Sequence, residues 1–218
     1  MSFKEKKYLI IRNAISNELA DFVYKYFSLK KKVAGIFFEK KYISPFATEW
    51  GVWNDPQAPE TYSHYGDIAM ETLLTEVKPV MEEKTGLKLI ETYSYARIYK
   101  KGDILKRHKD RNECEISTTM FLGGDQWDIY LEPNKNVGYR PTGPYVPSTN
   151  KGINVTLNQG DMLIYSGCEL EHWREAFQGT NCCQVFLHYN NAASPGAEKN
   201  KYDSRISLGM PDDTKNKN

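Results

Sequence analysis

Three of the four histidines in this chain of 218 residues, His108, His172 and His188, lie in the part that reads as β structure, and His108 stands two positions before a carboxylate, Asp110. On an extended segment, side chains at i and i+2 point to the same side. An imidazole and a carboxylate placed in that way can share one metal ion. A second imidazole from a distant strand would complete a 2-His-1-carboxylate facial triad, which leaves coordination positions open for substrates and O2 and suits Fe(II). His172 and His188 are both candidates for that last position; the alternative for His188 is a core histidine with a satisfied hydrogen bond. His64 lies in an aromatic loop and reads as structural or surface, with a substrate contact as the alternative.

The elements that must position these residues change character along the chain. Ser16 caps a helix in which Leu19, Phe22, Val23, Tyr26 and Phe27 recur on one face, and Lys30-Lys31-Lys32 is expected just beyond it as a solvated helix end. A second helix is expected from about Gly66 to Lys84, with Met70, Leu73, Leu74, Val77, Val80 and Met81 on one stripe, Pro79 as a kink and Gly86 as its stop. Between them runs an aromatic, Pro-containing loop in which Trp50, Trp53 and Tyr62 either cover a site or pack against the sheet. After Gly86 the period alternates: Tyr93, Tyr95, Arg97 and Tyr99 share one face of a strand, and Ser94, Ala96 and Ile98 the other. Further strands are expected in ISTTMFL, QWDIYLE, INVTLN, DMLIYSG, EHWREAF and CCQVFLHYN, separated by turn formers. Short strands at this spacing imply a sandwich or barrel.

Composition narrows the class. Lys and Arg number 29 against 28 Asp and Glu, a net charge of +1 that marks neither a nucleic-acid nor a membrane partner. Lys100-Lys101 with Lys106-Arg107 flank the histidine and aspartate, where they would either draw in an anionic substrate or cover a loop. No long apolar run and no signal-peptide pattern is present, so a soluble, cytoplasmic chain is expected. Cys114, Cys168, Cys182 and Cys183 form no CxxC pair, which points to reduced thiols and away from structural zinc. One domain is expected over 1–191, helical to about 86 and β from about 87, followed by a polar, flexible tail over 192–218.

The run Tyr99-x-x-Gly102-x-x-Leu105-x-x-His108-x-Asp110, followed by Gly160-Asp161 opening an apolar strand and then by His172, resembles the prolyl 4-hydroxylase-like branch of the 2-oxoglutarate/Fe(II) dioxygenase superfamily. The resemblance covers roughly residues 90 to 190. It implies a mainly β double-stranded β-helix, or jelly roll, buttressed by N-terminal helices. It also implies His108, Asp110 and His172 as iron ligands, Tyr99 as a hydrogen-bond donor to 2-oxoglutarate, and O2 as co-substrate with ascorbate as a candidate auxiliary. The activity implied is hydroxylation of a C–H bond, coupled to formation of succinate and CO2, on a small-molecule, prolyl, peptide or amino-acid-like substrate.

The chain departs from that pattern in one place. The family supplies a Lys or Arg about ten residues after the distal histidine to meet the far carboxylate of 2-oxoglutarate, and here those positions read Asn181, Cys182 and Cys183. A buried carboxylate needs a paired cation or several donors. Arg174, two residues after His172 on a strand, and Arg97, on the face of Tyr99, are the two candidates, each with a structural acid pair such as Glu171 or Glu175 as the alternative. The departure keeps a second reading open, a cupin-like metal- or ligand-binding barrel without 2-oxoglutarate chemistry. Arg111, Cys114 and Glu115 would orient Asp110 or simply begin a strand. Specificity is expected to lie in the loops at 44–65 and 133–152.

Overall fold

Two antiparallel sheets face each other, and every element that carries a candidate site residue belongs to one of them. The computed structural model describes residues 2–138 and 144–215. After a short α1 (Phe3–Lys6), the chain forms β1 (Tyr8–Ile11), α2 (Asn17–Glu39), β2 (Tyr62–Tyr65) and α3 (Ile68–Thr85). Then come β3 (Leu89–Lys100), β4 (Leu105–His108), β5 (Ile116–Gly124), β6 (Ile129–Leu131), β7 (Ile153–Val155), β8 (Met162–Ser166), β9 (His172–Arg174) and β10 (Asn181–Asn191). The larger sheet runs β1-β8-β5-β10-β3-β2 and the smaller β4-β9-β6-β7. This is the double-stranded β-helix expected from the sequence.

The continuous apolar runs of the central strands follow from burial on both faces. On β3, β8 and β10, Ile98, Met162, Ile164, Val185 and Leu187 pack outward against Val23, Phe27, Met70 and Leu74 of α2 and α3. Their neighbours Tyr99, Leu163, Tyr165, Cys182 and Phe186 point inward, where they meet Ile129, Leu131 and Val155 of the smaller sheet. Each large side chain so buried contributes about 1.5–3 kcal/mol. Parity along the strand therefore decides which residues reach the interior.

Both helix starts hold as read. Ser16 Oγ accepts from Leu19 N–H at 3.2 Å, and Asp67 caps α3 by accepting from Ala69 and Met70 N–H. Gly86 ends α3 at φ 71°, a left-handed position that favours glycine. The buried face of α2 differs from the expected one. Ala20, Val23, Phe27 and Ala34 are buried, whereas Leu19 and Phe22 are exposed, because the sheet lies about one residue further round the helix. The lysine run is also corrected: it lies inside α2, and Lys30 pairs with buried Asp67 at 2.6 Å.

The half read as helical donates β1 and β2 to the larger sheet, and β4 was also unread; all three are only four residues long. The tail is a further correction. Residues 192–215 fold against the sheet, where buried Arg205 pairs with buried Glu71 at 2.7 Å. Among the described residues, no helix is long and apolar enough to cross a membrane.

Candidate metal centre and its cavity

The antiparallel pairing of β4 with β9 makes His108 and His172 register partners across two strands. Asp110 follows β4 in a turn whose backbone N–H donates to Gly167 O at 2.9 Å. One carboxylate oxygen, Asp110 Oδ1, then lies 3.5 Å from His108 Nε2 and 3.4 Å from His172 Nε2. The ring nitrogens on the far side are already committed: His108 Nδ1 to Lys106 O at 2.6 Å and His172 Nδ1 to Leu170 O at 3.1 Å. A carbonyl accepts only from a protonated nitrogen, so in the neutral imidazoles Nε2 carries the lone pair a metal would take, and in the imidazolium form it donates to the carboxylate. The second carboxylate oxygen, Oδ2, accepts from Ser117 Oγ at 3.0 Å.

Charge within this group is strongly coupled. Burial alone would raise the Asp110 carboxyl, but the His172 and His108 imidazoles outweigh it and hold the group well below the usual carboxylate range. Burial lowers the His108 imidazole, and the hydrogen bond and charge of Asp110 more than reverse this. Three converging donors with no other function are what a divalent cation of the iron type requires.

Asp110, Cys114 and His188 also lie close enough to share an ion. That set is spent internally. Ser117 Oγ lies 2.9 Å from His188 Nδ1, and Tyr93 OH lies 3.1 Å from Cys114 Sγ. Burial pushes His188 down to about 4, so it is a neutral core imidazole at physiological pH. Gly167 was missed by the sequence reading although the site depends on it. A Cβ at this position would lie 2.3 Å from Asp110 Oδ2 and 2.4 Å from Cys114 O.

The two candidate arginines separate cleanly. Arg97 pairs with Asp55 at 2.5 Å and donates to Gln57 Oε1 and, at 3.2 Å, to Tyr99 OH. Arg174 is 1% exposed and sits over the Trp127 ring, donating to Trp127 O and to Thr119 Oγ1. Its Nε has no partner, and no carboxylate lies within ion-pair distance of it among the described residues. Burial lowers its basicity, and its charge is felt by Cys182, one of the residues standing where the resemblance expects a base. Cys182 is in register with Tyr99 on β3. Glu171 is occupied elsewhere, by Arg107 at 2.8 Å, Tyr145 OH and Ser148. Glu175 accepts from Trp173 Nε1 at 3.0 Å.

A cavity of about 370 Å3 opens over the triad, with Leu105, Tyr165 and Phe186 at its lining and Tyr93, Tyr95 and Arg97 along the β3 wall. A neighbouring cleft of about 440 Å3 shares Asp55, Tyr93, Tyr95 and Arg111 with it and extends to Tyr65 and Lys215. The aromatic loop plays two parts. Trp50 packs on Phe37 and Trp53 on Phe38 and Tyr62, while Asp55 and Gln57, which the sequence reading passed over, form cavity wall. His64 is buried 3.2 Å from Asp67 and is structural. Arg111 is held by Asp203 of the folded tail through contacts of 3.0 and 2.8 Å. Glu115 accepts from Asn191 N–H and Ser194 Oγ. Within the basic run, Lys100 and Arg107 are spent on Asp103 and Glu171, whereas Lys101 and Lys106 are exposed. In the loop at 133–152, residues 139–143 lie outside the described residues.

No family model matches the chain. Among curated proteins, 127 residues are 21% identical to the envelope glycoprotein gp160 of two clones of Maedi visna virus strain 1514, covering 51% of this chain; the chain spans 12% of the length of those relatives. A stretch of that length carries nothing about activity. Solved structures are more informative. A Pseudomonas putida prolyl-4-hydroxylase superposes with a TM-score of 0.60 at 9% identity, over 88% of this chain and 96% of that one. The chain has the fold of the 2-oxoglutarate-dependent oxygenases. The non-haem α-ketoglutarate-dependent epimerase SnoN from nogalamycin biosynthesis gives a TM-score of 0.63 at 13% identity, over 87% and 80% of the two chains. HygX from Streptomyces hygroscopicus, solved with nickel and 2-oxoglutarate, gives 0.57 at 12%, over 88% and 85%.

Proposed function

We propose that this chain is an Fe(II)- and 2-oxoglutarate-dependent oxygenase that hydroxylates a C–H bond of a prolyl, peptide or amino-acid-like substrate. The observation that carries the reading is the pairing of a three-donor centre with a buried arginine, free of any ion-pair contact among the described residues, two residues along the same strand. Two residues of strand span about 6.5–7 Å, the reach of a five-carbon diacid whose other end chelates a metal.

In this reading His108 and His172 bind iron through Nε2 and Asp110 through Oδ1, while Ser117 keeps Oδ2 turned away. Arg174 receives the far carboxylate of 2-oxoglutarate, taking over from the base absent at Asn181–Cys183. Tyr99 OH accepts from Arg97, which leaves its own proton to donate to the same carboxylate. When bound, iron and 2-oxoglutarate supply the oxidising power, with O2 consumed, succinate and CO2 released and one oxygen atom delivered to the substrate. The tyrosine-lined wall from Tyr95 through Tyr93 to Tyr65 suits an extended substrate with an apolar ring or chain over the metal.

The test is succinate formation from 2-oxoglutarate by the purified, Fe(II)-loaded chain, against His172→Ala. Turnover even without primary substrate is expected in the wild type and none in the variant. Metal binding without any 2-oxoglutarate consumption or binding would favour the cupin-like alternative.

A further inference from the structure

The helix α2 has a second apolar face that its own domain leaves largely uncovered, although Tyr26 at its centre packs partly on the core and donates to Asp67 Oδ2 at 2.8 Å. Leu19, Phe22, Tyr26, Leu29, Val33 and Ile36 recur at steps of three and four, the a/d spacing by which helices pair. Ala20, Val23, Phe27 and Ala34, which are buried against the sheet, form a different stripe. On the free stripe Phe22 is 69% and Leu29 61% exposed, with Leu19 and Ile36 at 40% and 43%. Beyond the helix end Tyr42 and Phe46 are 73% and 89% exposed, and Tyr42 packs its ring on Phe37 of α2.

We propose that this flank of α2 is a homodimer seam on which a second copy of the chain lays its own α2 antiparallel. The spacing is palindromic. A two-fold axis between Tyr26 and Leu29 sets Tyr26 against Leu29, Phe22 against Val33 and Leu19 against Ile36, so every apolar residue meets an apolar residue, as an isologous contact requires. Shape agrees with this pairing. Val33, the smallest member, lies beside a groove of about 450 Å3 formed with Trp50 and Glu49, and the phenyl ring of Phe22 of the second copy faces it.

Area favours a second copy over a small ligand. With about 200 Å2 for a large side chain, the exposed fractions of the stripe, Tyr42 and Phe46 offer on the order of 800 Å2 per chain, the share a standard stable interface needs. Charge does not oppose it. Lys25 and Lys30, which the axis brings near each other, are neutralised within their own chain by Asp21 at 2.7 Å and Asp67 at 2.6 Å.

Sedimentation velocity on the full chain across micromolar concentrations tests the seam. A reversible dimer is expected in the wild type, with Phe22→Glu and Leu29→Glu monomeric at the same concentrations and unchanged in circular dichroism and Tm. Antiparallel register predicts that Phe22→Cys/Val33→Cys forms a disulfide-linked dimer under mild oxidation while Phe22→Cys alone does not. A wild type that stays monomeric, a dimer that survives both glutamate substitutions, or cross-linking by Phe22→Cys alone would overturn the proposal.

Discussion

Arg97 and Arg174 are both buried and both lie on inward-facing strand positions, yet one has a carboxylate partner and the other has none. Arg97 stands at the outer wall of the cavity and is satisfied by Asp55, Gln57 and Tyr99. Arg174 lies behind the lining of that cavity, two residues along β9 from His172, held by a backbone carbonyl, a hydroxyl and an indole face. A buried cation without an acid is expensive in an isolated protein, so the fold tolerates at Arg174 what it avoids at Arg97. Under the proposed function, the difference assigns the first arginine to the architecture and the second to the 2-oxoglutarate carboxylate.

Substitution separates the two most sharply at Arg174. Truncating one partner of a desolvated charge pair costs about 2–5 kcal/mol of binding, so Arg174→Met is expected to weaken 2-oxoglutarate binding by 30-fold or more in calorimetry while metal affinity is kept. Its ligand-free Tm should stay level or rise, because an unpaired buried charge has been removed. Arg97→Met is expected to do the reverse. It leaves Asp55 without its cation and should lower stability by about 3 kcal/mol in denaturant unfolding, with Asp55→Asn in the same chain recovering part of the loss. A fall in 2-oxoglutarate affinity for Arg97→Met as large as that for Arg174→Met would erase the distinction.

The Asp110 carboxylate, which in the proposed function would hold the metal, can be disturbed without touching either arginine. Gly167→Ala drives a methyl group into Asp110 Oδ2 and should reduce Co(II) or Fe(II) affinity about 10- to 100-fold, the range for lost ligand orientation. Ser117→Ala should give a smaller loss of the same kind. The smallest effect concerns an architectural charge remote from the cavity. Burial would raise Asp67, but His64 and Lys30 hold it well below the usual carboxylate range. A depressed folded-state value means stability that is present above the ordinary aspartate range and lost as pH falls through it towards the folded value. Asp67→Asn should therefore flatten the acid limb of the stability–pH curve by on the order of 1 kcal/mol, without altering 2-oxoglutarate binding.

The His108–Asp110 pair and the strand parity were legible because both depend on local spacing. His108 and Asp110 are two residues apart, and the alternation from Tyr93 to Tyr99 survives intact in β3. What escaped depends on pairing between distant segments. Nothing local tells Arg97 that Asp55 will come to it from a loop, or Arg111 that Asp203 will fold back over it. The short edge strands β1, β2 and β4 had too few residues to display a period. The tail read as flexible because its residues are polar, and it is ordered because those same polar groups pair with buried Glu71, Arg111 and Tyr65. The exposed stripe on α2 misled for the opposite reason, since its apolar residues are periodic without being buried in the monomer.

The most direct test is an anaerobic titration of the Fe(II)-loaded chain with 2-oxoglutarate, followed by the weak visible charge-transfer band of an iron-bound 2-oxo acid. A saturating band is expected in the wild type, no band in His172→Ala, and a band in Arg174→Met that requires at least 30-fold more 2-oxoglutarate. A wild type that binds iron yet develops no band, or an Arg174→Met titration that overlays the wild type, would contradict the proposed function.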